Sequence, residues 1–486
     1  MSIGRPGRGS TGRVWPRRNT RGAEVLLRLS SLGRFLDRTL HPTQVIVLSF
    51  GGAILFGAGL LASGSASTAE PVAFVDALFT STSAVCVTGL TVVDTGTRFT
   101  LFGQLVILAL IQLGGLGIMT YSSVFLLVTG RRLSFRGQLV VEETLGRKAR
   151  SPLDRLILDV LVYTLAIEAV GAGLLTLAFS HRLGWGEGLY NGVFHSVSAF
   201  CNAGFSLFSS NLTGYRGSWV VNLTVIALII FGGLGFAVMG DVMEGAAARR
   251  AGRPLSLQLH TKVVLATSAA LIAAGASGVY LFEANNALAG LPWHEKVLAC
   301  LFQSVTPRTA GFNTLDYGTL TASTLFFTIL LMFIGASPGS TGGGVKTSTF
   351  AVMLAVFRSR LLARSRASLF RRSLPEQTVS RSVAIVTVSF VLVTLVTFLL
   401  LGTEVGEQPH REGAMSFLEV MFESVSAFGT VGLSTGVTAR LSTFGKLVLT
   451  GLMFVGRVGP LTLAMAVGRK AEKAHFQFAE ENVVVG

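Results

Sequence analysis

Residues 335–347 read GASPGSTGGGVKT, a glycine- and hydroxyl-rich stretch of the kind that cradles phosphate. A phosphate loop of the G-x-x-x-x-G-K-[ST] type places its lysine directly after the last glycine, so that backbone amides and ammonium reach one phosphate chain. Gly339 and Gly344 keep the spacing, but Val345 separates Gly344 from Lys346. The register is off by one residue. The flanks LFFTILLMFI and FAVMLAVF are membrane-type sequence, and no soluble α/β domain surrounds the loop. A membrane-bound nucleotide-hydrolysing enzyme is the competing reading. On these grounds the chain is expected to be no enzyme and to bind no nucleotide itself.

A second pattern supports different chemistry. Four short stretches are copies of one another: FTSTSAVCVTGL (79–90), FHSVSAFCNAGF (194–205), FQSVTPRTAGF (302–312) and FESVSAFGTVGL (422–433). Each has an aromatic residue, a Ser/Thr-rich segment and a glycine followed by Leu or Phe. At about a dozen residues each is too short to cross a bilayer, so it reads as a re-entrant half-helix. Four such segments on a common axis would line a pore, with rings of backbone carbonyls replacing the hydration shell of a monovalent cation. The expected filter is Val87, Thr88 and Gly89; Asn202, Ala203 and Gly204; Thr309, Ala310 and Gly311; Thr430, Val431 and Gly432. One T-x-G alone would read as a turn, but four equivalent copies do not. None of these residues is a carboxylate, which suits selection by carbonyl dipoles and K⁺ as the ion. The third copy is a residue shorter and carries Pro307 and Arg308, so its half-helix should end early.

Positioning four half-helices requires a membrane scaffold. Of 486 residues 50% are apolar and 13% charged, the composition of a polytopic membrane protein. Long apolar spans near 43–62, 102–128, 156–180, 218–240, 260–282, 322–356, 382–402 and 441–468 give eight expected crossings, two flanking each half-helix. The fold class expected is all-α, with four tandem helix, pore loop, helix units around a pseudo-fourfold pore. Three cysteines without paired spacing give neither a disulfide framework nor a zinc site. The formal charge of +15 could suggest nucleic acid. About thirty of the forty Lys and Arg, however, fall in the two terminal segments and in 131–155, 249–262 and 358–381. The positive-inside rule then accounts for the charge, with both termini in the cytoplasm and the basic segments near lipid headgroups. The expected organisation is a basic arm 1–42, pore unit 43–130, basic linker 131–155, pore units 156–245 and 246–357, basic linker 358–381, pore unit 382–470 and tail 471–486.

The sixth span is about 35 residues long where some twenty suffice, so something must interrupt it. Residues 322–334 would form a half-helix of roughly 20 Å. The next thirteen hold five glycines, a proline and four small hydroxyl residues, a composition that opposes helix and can satisfy freed backbone groups. The loop therefore reads as an intramembrane gate comprising Gly335, Ser337, Pro338, Gly339, Ser340, Thr341, Gly342, Gly343 and Gly344, with Lys346 snorkelling from its end. Gly335 and Gly456 each lie 24 residues beyond their filter glycine, which puts Arg457 at the depth of the loop. An intramembrane arginine points to function, facing either the pore or a carboxylate such as Glu168 or Asp241. At about 8 Å and an effective dielectric near 20 it would raise a passing cation by roughly 2 kcal/mol.

The four filter copies with TAGFNT in the third, the GASPGSTGGGVKT loop and GRVGP together resemble the bacterial Ktr branch of the Trk/Ktr/HKT potassium-uptake superfamily over about 43–470. The 42 residues before the first span cannot supply the two further crossings usual in the Trk branch. The resemblance implies channel-like K⁺ uptake across the cell membrane, Gly89 rather than a sodium-favouring serine at the first filter position, and Na⁺ as an optional activator. It also implies a homodimer seated on a cytosolic nucleotide-binding RCK ring that would carry the nucleotide. Cation-coupled secondary transport is the alternative within the same superfamily.

Overall fold

The computed structural model describes residues 42–128, 153–254, 256–406 and 415–460, together with 462 and 463. The basic arm 1–42, the linker 131–155 and the tail 471–486 lie outside the described residues, apart from 42 and 153–155. The chain is almost wholly helical. The first copy contributes α1 (Pro42–Leu61), α2 (Phe74–Val85) and α3 (Leu101–Val128), besides the single turn Thr95–Arg98. The second copy contributes α4 (Leu153–Leu183), α5 (Trp185–Phe200), α6 (Trp219–Leu234) and α7 (Phe236–Arg250). The third contributes α8 (Leu259–Glu283), α9 (Trp293–Val305), α10 (Ala322–Phe333) and α11 (Thr347–Leu361). A two-stranded hairpin, β1 (Ser368–Leu369) and β2 (Arg372–Ser373), leads to α12 (Glu376–Leu400), α13 (Phe417–Gly429) and α14 (Thr443–Val458).

The helix that follows each glycine segment opens on a hydroxyl residue, because the first amides of a helix lack intrahelical partners. Thr100, Ser218, Thr321 and Ser442 accept from the amides of Gly103, Val221, Thr324 and Gly445 at 3.2–3.4 Å. In the last two copies the C-terminal end of the copy's first long helix adds a carboxylate at the same place. Glu283 accepts from the Thr321 amide at 2.8 Å, and Glu404 from the Ser442 amide at 2.8 Å.

Large apolar side chains such as Leu55, Phe390 and Phe398 stand exposed on the perimeter, whereas the second halves of α2, α5, α9 and α13 are buried. The perimeter is thus apolar, while the buried halves of the half-helices carry Ser and Thr among apolar side chains. Among the described residues α4 (from Leu158), α8 and α12 (with its extension to Val405) are long and apolar enough to cross a membrane. The pair α6 and α7 qualifies only as a bent span, with an angle of 100° between them. The apolar run 218–240, expected as one crossing, therefore breaks at Gly235. There φ is +89°, and a Cβ would come within 2.5 Å of the Pro338 carbonyl. The run 322–356 is interrupted as its length requires, ending one helix at Phe333 and starting the next at Thr347.

Neighbouring copies are stitched by polar pairs. Tyr190 donates to Gln104 at 2.8 Å, Arg216 pairs with Glu295 at 3.0 Å, and Lys446 pairs with Asp76 at 2.7 Å, joining the last copy to the first. Glycines then let the helices close on the axis. Gly114, Gly232 and Gly456 each rest against the carbonyl of a half-helix residue, Val85, Phe200 and Phe428 respectively, where a Cβ would overlap the oxygen. Gly456→Ala is expected to destabilise the folded protein by about 3 kcal/mol, the upper part of the overpacking range, because backbone cannot yield as a side chain does. A thermal melt of the detergent-purified protein checks this, and an unshifted midpoint would show that α14 has room to retreat.

Candidate functional site

The half-helices α2, α5, α9 and α13 end near one axis, and the backbone beyond each follows one pattern. Val87, Asn202, Thr309 and Thr430 have φ of 56°, 59°, 73° and 50°, and Gly89, Gly204, Gly311 and Gly432 have 88°, 70°, 75° and 88°. The residues between them keep negative φ. Alternating left-handed and ordinary residues turn successive carbonyls toward one side. The amides point the other way. Those of Thr88, Ala203 and Val431 donate back to Ser83, Ser198 and Ser426 carbonyls at 2.7–2.8 Å, and that of Ala310 donates to Thr306 at 3.0 Å. Among the described residues, no hydrogen bond reaches the carbonyls of Val87, Thr88, Asn202, Ala203, Thr309, Ala310, Thr430 or Val431. The helix α9 stops four residues before Thr309, earlier than its counterparts, as the proline requires.

The four segments close a ring. A Cβ on Gly89 would overlap the Ala203 carbonyl, one on Gly204 would lie 2.8 Å from Ala310 O, one on Gly311 2.6 Å from Val431 O, and one on Gly432 would overlap Thr88 O. Each glycine thus faces the next copy, and the fourth faces the first. Sequence reasoning identified these glycines from their repetition alone; the contacts add that any side chain there would push the segments apart.

A second layer supports the ring and was not legible in the copies. The repeated hydroxyl at Ser83 and Ser426 accepts from Gly89 N and Gly432 N at 3.0 and 3.1 Å. At Ser198 and Thr306 it instead donates to Phe205 O and Phe312 O, at 2.8 and 2.5 Å. One turn earlier each of the last three half-helices carries a buried polar group tied to the chain leaving the ring. His195 Nε2 lies 3.0 Å from Ser206 Oγ, and Gln303 accepts from the Tyr317 hydroxyl at 2.6 Å. Glu423 accepts from Ser434 Oγ, Thr435 N and Thr438 Oγ1 at 2.5–3.0 Å. Asn202, with its amide nitrogen donating to Ala199 O and Ile229 O, presents its oxygen to the Thr309 hydroxyl at 3.3 Å.

The glycine-rich loop lies directly against this ring. The Cα atoms of Gly342 and Gly343 abut the side chains of Thr309 and Thr430, leaving no space for a Cβ. Within the loop only Gly339 and Gly344 have positive φ, 72° and 67°, and Gly335 is required by its approach to Gly343. Several of the loop's polar groups are tied to protein. Gly335 N donates to Val345 O at 2.8 Å, Ser337 N to Gly233 O at 3.0 Å and Thr341 N to Gly232 O at 3.2 Å, while Gly339 O accepts from Phe236 N at 3.0 Å. Ser340 Oγ donates to Ser337 O at 2.7 Å, and the Ser337 and Thr347 hydroxyls meet at 2.9 Å. Pro338 supplies the carbonyl that faces Gly235. Lys346, expected to snorkel outward, turns back instead and donates from Nζ to Gly342 O at 2.7 Å, because the loop carbonyl lies within its reach.

Arg457 is 3% exposed and touches the loop. Its Nη1 donates to Thr341 O and its Nη2 to Gly114 O on α3 at 2.6 Å. The two carboxylates named as its alternative partners are engaged elsewhere. Glu168 accepts from Gln112 at 3.2 Å, and Asp241 from the Gln258 amide at 3.0 Å. Arg457 therefore joins the loop to the first copy by two backbone carbonyls.

The TrkH family of cation transport proteins matches residues 34–476. The Ktr system potassium uptake protein B of Bacillus subtilis (strain 168) is 40% identical over 447 residues, spanning 92% of this chain and 97% of that protein. The protein of the same name from Vibrio alginolyticus is 41% identical over 445 residues, 91% of this chain and 94% of its own. The potassium/sodium uptake protein NtpJ of Enterococcus hirae is 36% identical over 453 residues, 92% and 98% of the two chains. Among solved structures, the potassium transporter TrkH from Vibrio parahaemolyticus superposes with a TM-score of 0.67 at 18% identity, covering 87% of this chain and 84% of that one. This last likeness concerns the fold.

Glu423→Gln replaces a multiple acceptor with a group whose NH₂ must face the Thr435 amide. It should lower stability by about 1–3 kcal/mol. Thermal unfolding of the purified variant measures this, and an unchanged melting temperature would remove Glu423 from the supporting layer.

Proposed function

The chain belongs to the TrkH family of cation transport proteins, and we propose that it takes up potassium through the ring formed by its four glycine segments. One observation carries the proposal. Eight carbonyls at the ends of four converging half-helices have no hydrogen-bond donor among the described residues, while the amides of seven of the same eight residues donate back toward the half-helices. Leaving carbonyls unpaired in a water-free interior is costly, and a dehydrated monovalent cation would compensate it. The half-helices also direct their negative ends at the same axis. Several relatives are named for potassium uptake, which favours that ion. The protein would act in the cell membrane with both termini cytoplasmic, uptake running toward the side of the basic linkers.

The glycine-rich loop is proposed as the gate. It would close the path just below the ring, held by Arg457 on one side and by the bend at Gly235 on the other. Arg457 would act twice, by bracing the loop at Thr341 and by placing a positive charge near the path. Opening would break its bond to Thr341 and the bonds to Gly232 and Gly233. A homodimer on a cytosolic nucleotide-binding ring is the assembly the family resemblance implies. Nucleotide would then act on the ring. Full, regulated uptake by the isolated chain would remove the ring from this proposal.

Rb⁺ influx into proteoliposomes tests the gate. Arg457→Ala, or deletion within 336–346, should raise influx at equal protein, with the electrostatic part alone worth about thirtyfold. Unchanged or lower influx in a folded variant would overturn the barrier role. Gly89→Ser should shift preference from K⁺ toward Na⁺, and an unaltered ratio would show that ring geometry at this position does not select the ion. Stoichiometric coupling of K⁺ entry to Na⁺ or H⁺ in the same vesicles would favour a coupled transporter, whereas flux driven by the K⁺ gradient alone supports the channel reading.

A further inference from the structure

A cleft of about 660 Å³ lies between α8, α11 and the hairpin that follows α11. We propose that it binds one anionic phospholipid, with an acyl chain in the furrow between α8 and α11 and the phosphate against Arg358, Arg364 and Arg371.

The two parts of such a ligand match two parts of the cleft. On α8 the spacing of Ala266, Ala270 and Ala274 puts small residues on one face, so that neighbouring helices leave a furrow instead of interdigitating. The opposite wall is Phe350 and Leu354 of α11. Three arginines lie at the end nearest the hairpin, and no lining residue is acidic. None of the three forms an ion pair with a carboxylate among the described residues. An apolar furrow ending in unpaired guanidinium groups complements an acyl chain ending in a phosphate.

The basic end is also held in shape. Ser359 donates from its hydroxyl to Arg364 O and Arg366 O at 3.2 and 3.1 Å, folding the chain back over α11. The hairpin tip is Phe370-Arg371, with φ of 46° and 61°, where a two-residue turn normally takes Asn-Gly. Two bulky residues in left-handed conformation are unfavourable on their own. Here they set Arg371 on the cleft and Phe370 on the wall between it and a smaller polar hollow lined by Lys262 and Arg372. Leu354 and Phe370 remain 56% and 53% exposed beside these charges, as suits a headgroup boundary. The site also adjoins the loop, because α11 starts at Thr347, whose hydroxyl meets Ser337. Binding does not depend on the gate reading and is measured separately from flux.

The full chain in phosphatidylcholine nanodiscs, with or without dioleoylphosphatidylglycerol, provides the test, with retained lipid counted by native mass spectrometry. Wild type should retain phosphatidylglycerol in preference to phosphatidylcholine. Arg364→Gln and Arg371→Gln, both at exposed positions, should each lower that retention about fivefold. Ala270→Trp should abolish it by filling the furrow while leaving the arginines intact. Equal retention of the two lipids, or retention indifferent to all three variants, would overturn the site. So would a photo-cross-linker at Leu354 that captures protein instead of lipid, since a partner or second copy would then occupy the cleft.

Discussion

Backbone groups in a membrane interior must find partners inside the protein, and the architecture follows from how four extended segments meet that demand. Their amides turn back onto the half-helices they leave, at Ser83, Ser198, Thr306 and Ser426. Their carbonyls are left without a donor among the described residues. That division requires residues in left-handed conformation at two of every three positions, which is why a glycine recurs where the next copy approaches closely. The remaining features keep the division in place. The hydroxyl caps fix where each following helix begins, Gly114, Gly232 and Gly456 let those helices reach the half-helix ends, and Glu423, Gln303 and His195 hold the chain as it leaves the ring.

The glycine-rich loop meets the same demand differently. It has no half-helix of its own to receive its amides, so it borrows carbonyls from the second copy. Gly232 and Gly233 accept from Thr341 and Ser337, and the bend at Gly235 frees the Phe236 amide to donate to Gly339. A straight α6 would have used those groups internally. The break in the second copy and the loop in the third are thus two halves of one hydrogen-bonding arrangement. The bonds run between elements, so in the proposed gate they are the ones that opening would break.

Much of this was legible in the chain, because it is written in repetition and length. Four copies with glycines at Gly89, Gly204, Gly311 and Gly432 identify the ring, and an apolar run too long for one crossing identifies the interruption after Phe333. Spacing alone brought Arg457 to the loop's depth. The bend at Gly235 was not legible, since FGGLGF is as apolar as any helix and its partner lies about a hundred residues away. Nor were the acceptors of Arg457. A carbonyl has no residue type, so Gly114 O and Thr341 O leave no mark in composition or period, and the eye goes to Glu168 and Asp241 instead. Lys346 misled for the same reason.

That Arg457 binds carbonyls and not a carboxylate changes what the residue can do. A paired carboxylate would have cancelled its charge and fixed it to one helix at a high cost of separation. Two carbonyls orient the guanidinium while leaving its positive charge in place, and they lie on different elements, one on α3 and one on the loop. A planar fork with several donors can hold both at once, which a lysine ammonium on its flexible stem would do less rigidly. In the proposed gate, bracing and repulsion therefore reside in one side chain. Losing the Thr341 contact would remove one of the loop's ties, beside those to Gly232, Gly233 and Phe236, and in the same step would leave the guanidinium with α3 alone, able to swing away from the path. A gate built from a separate latch and a separate charge would need two movements to open.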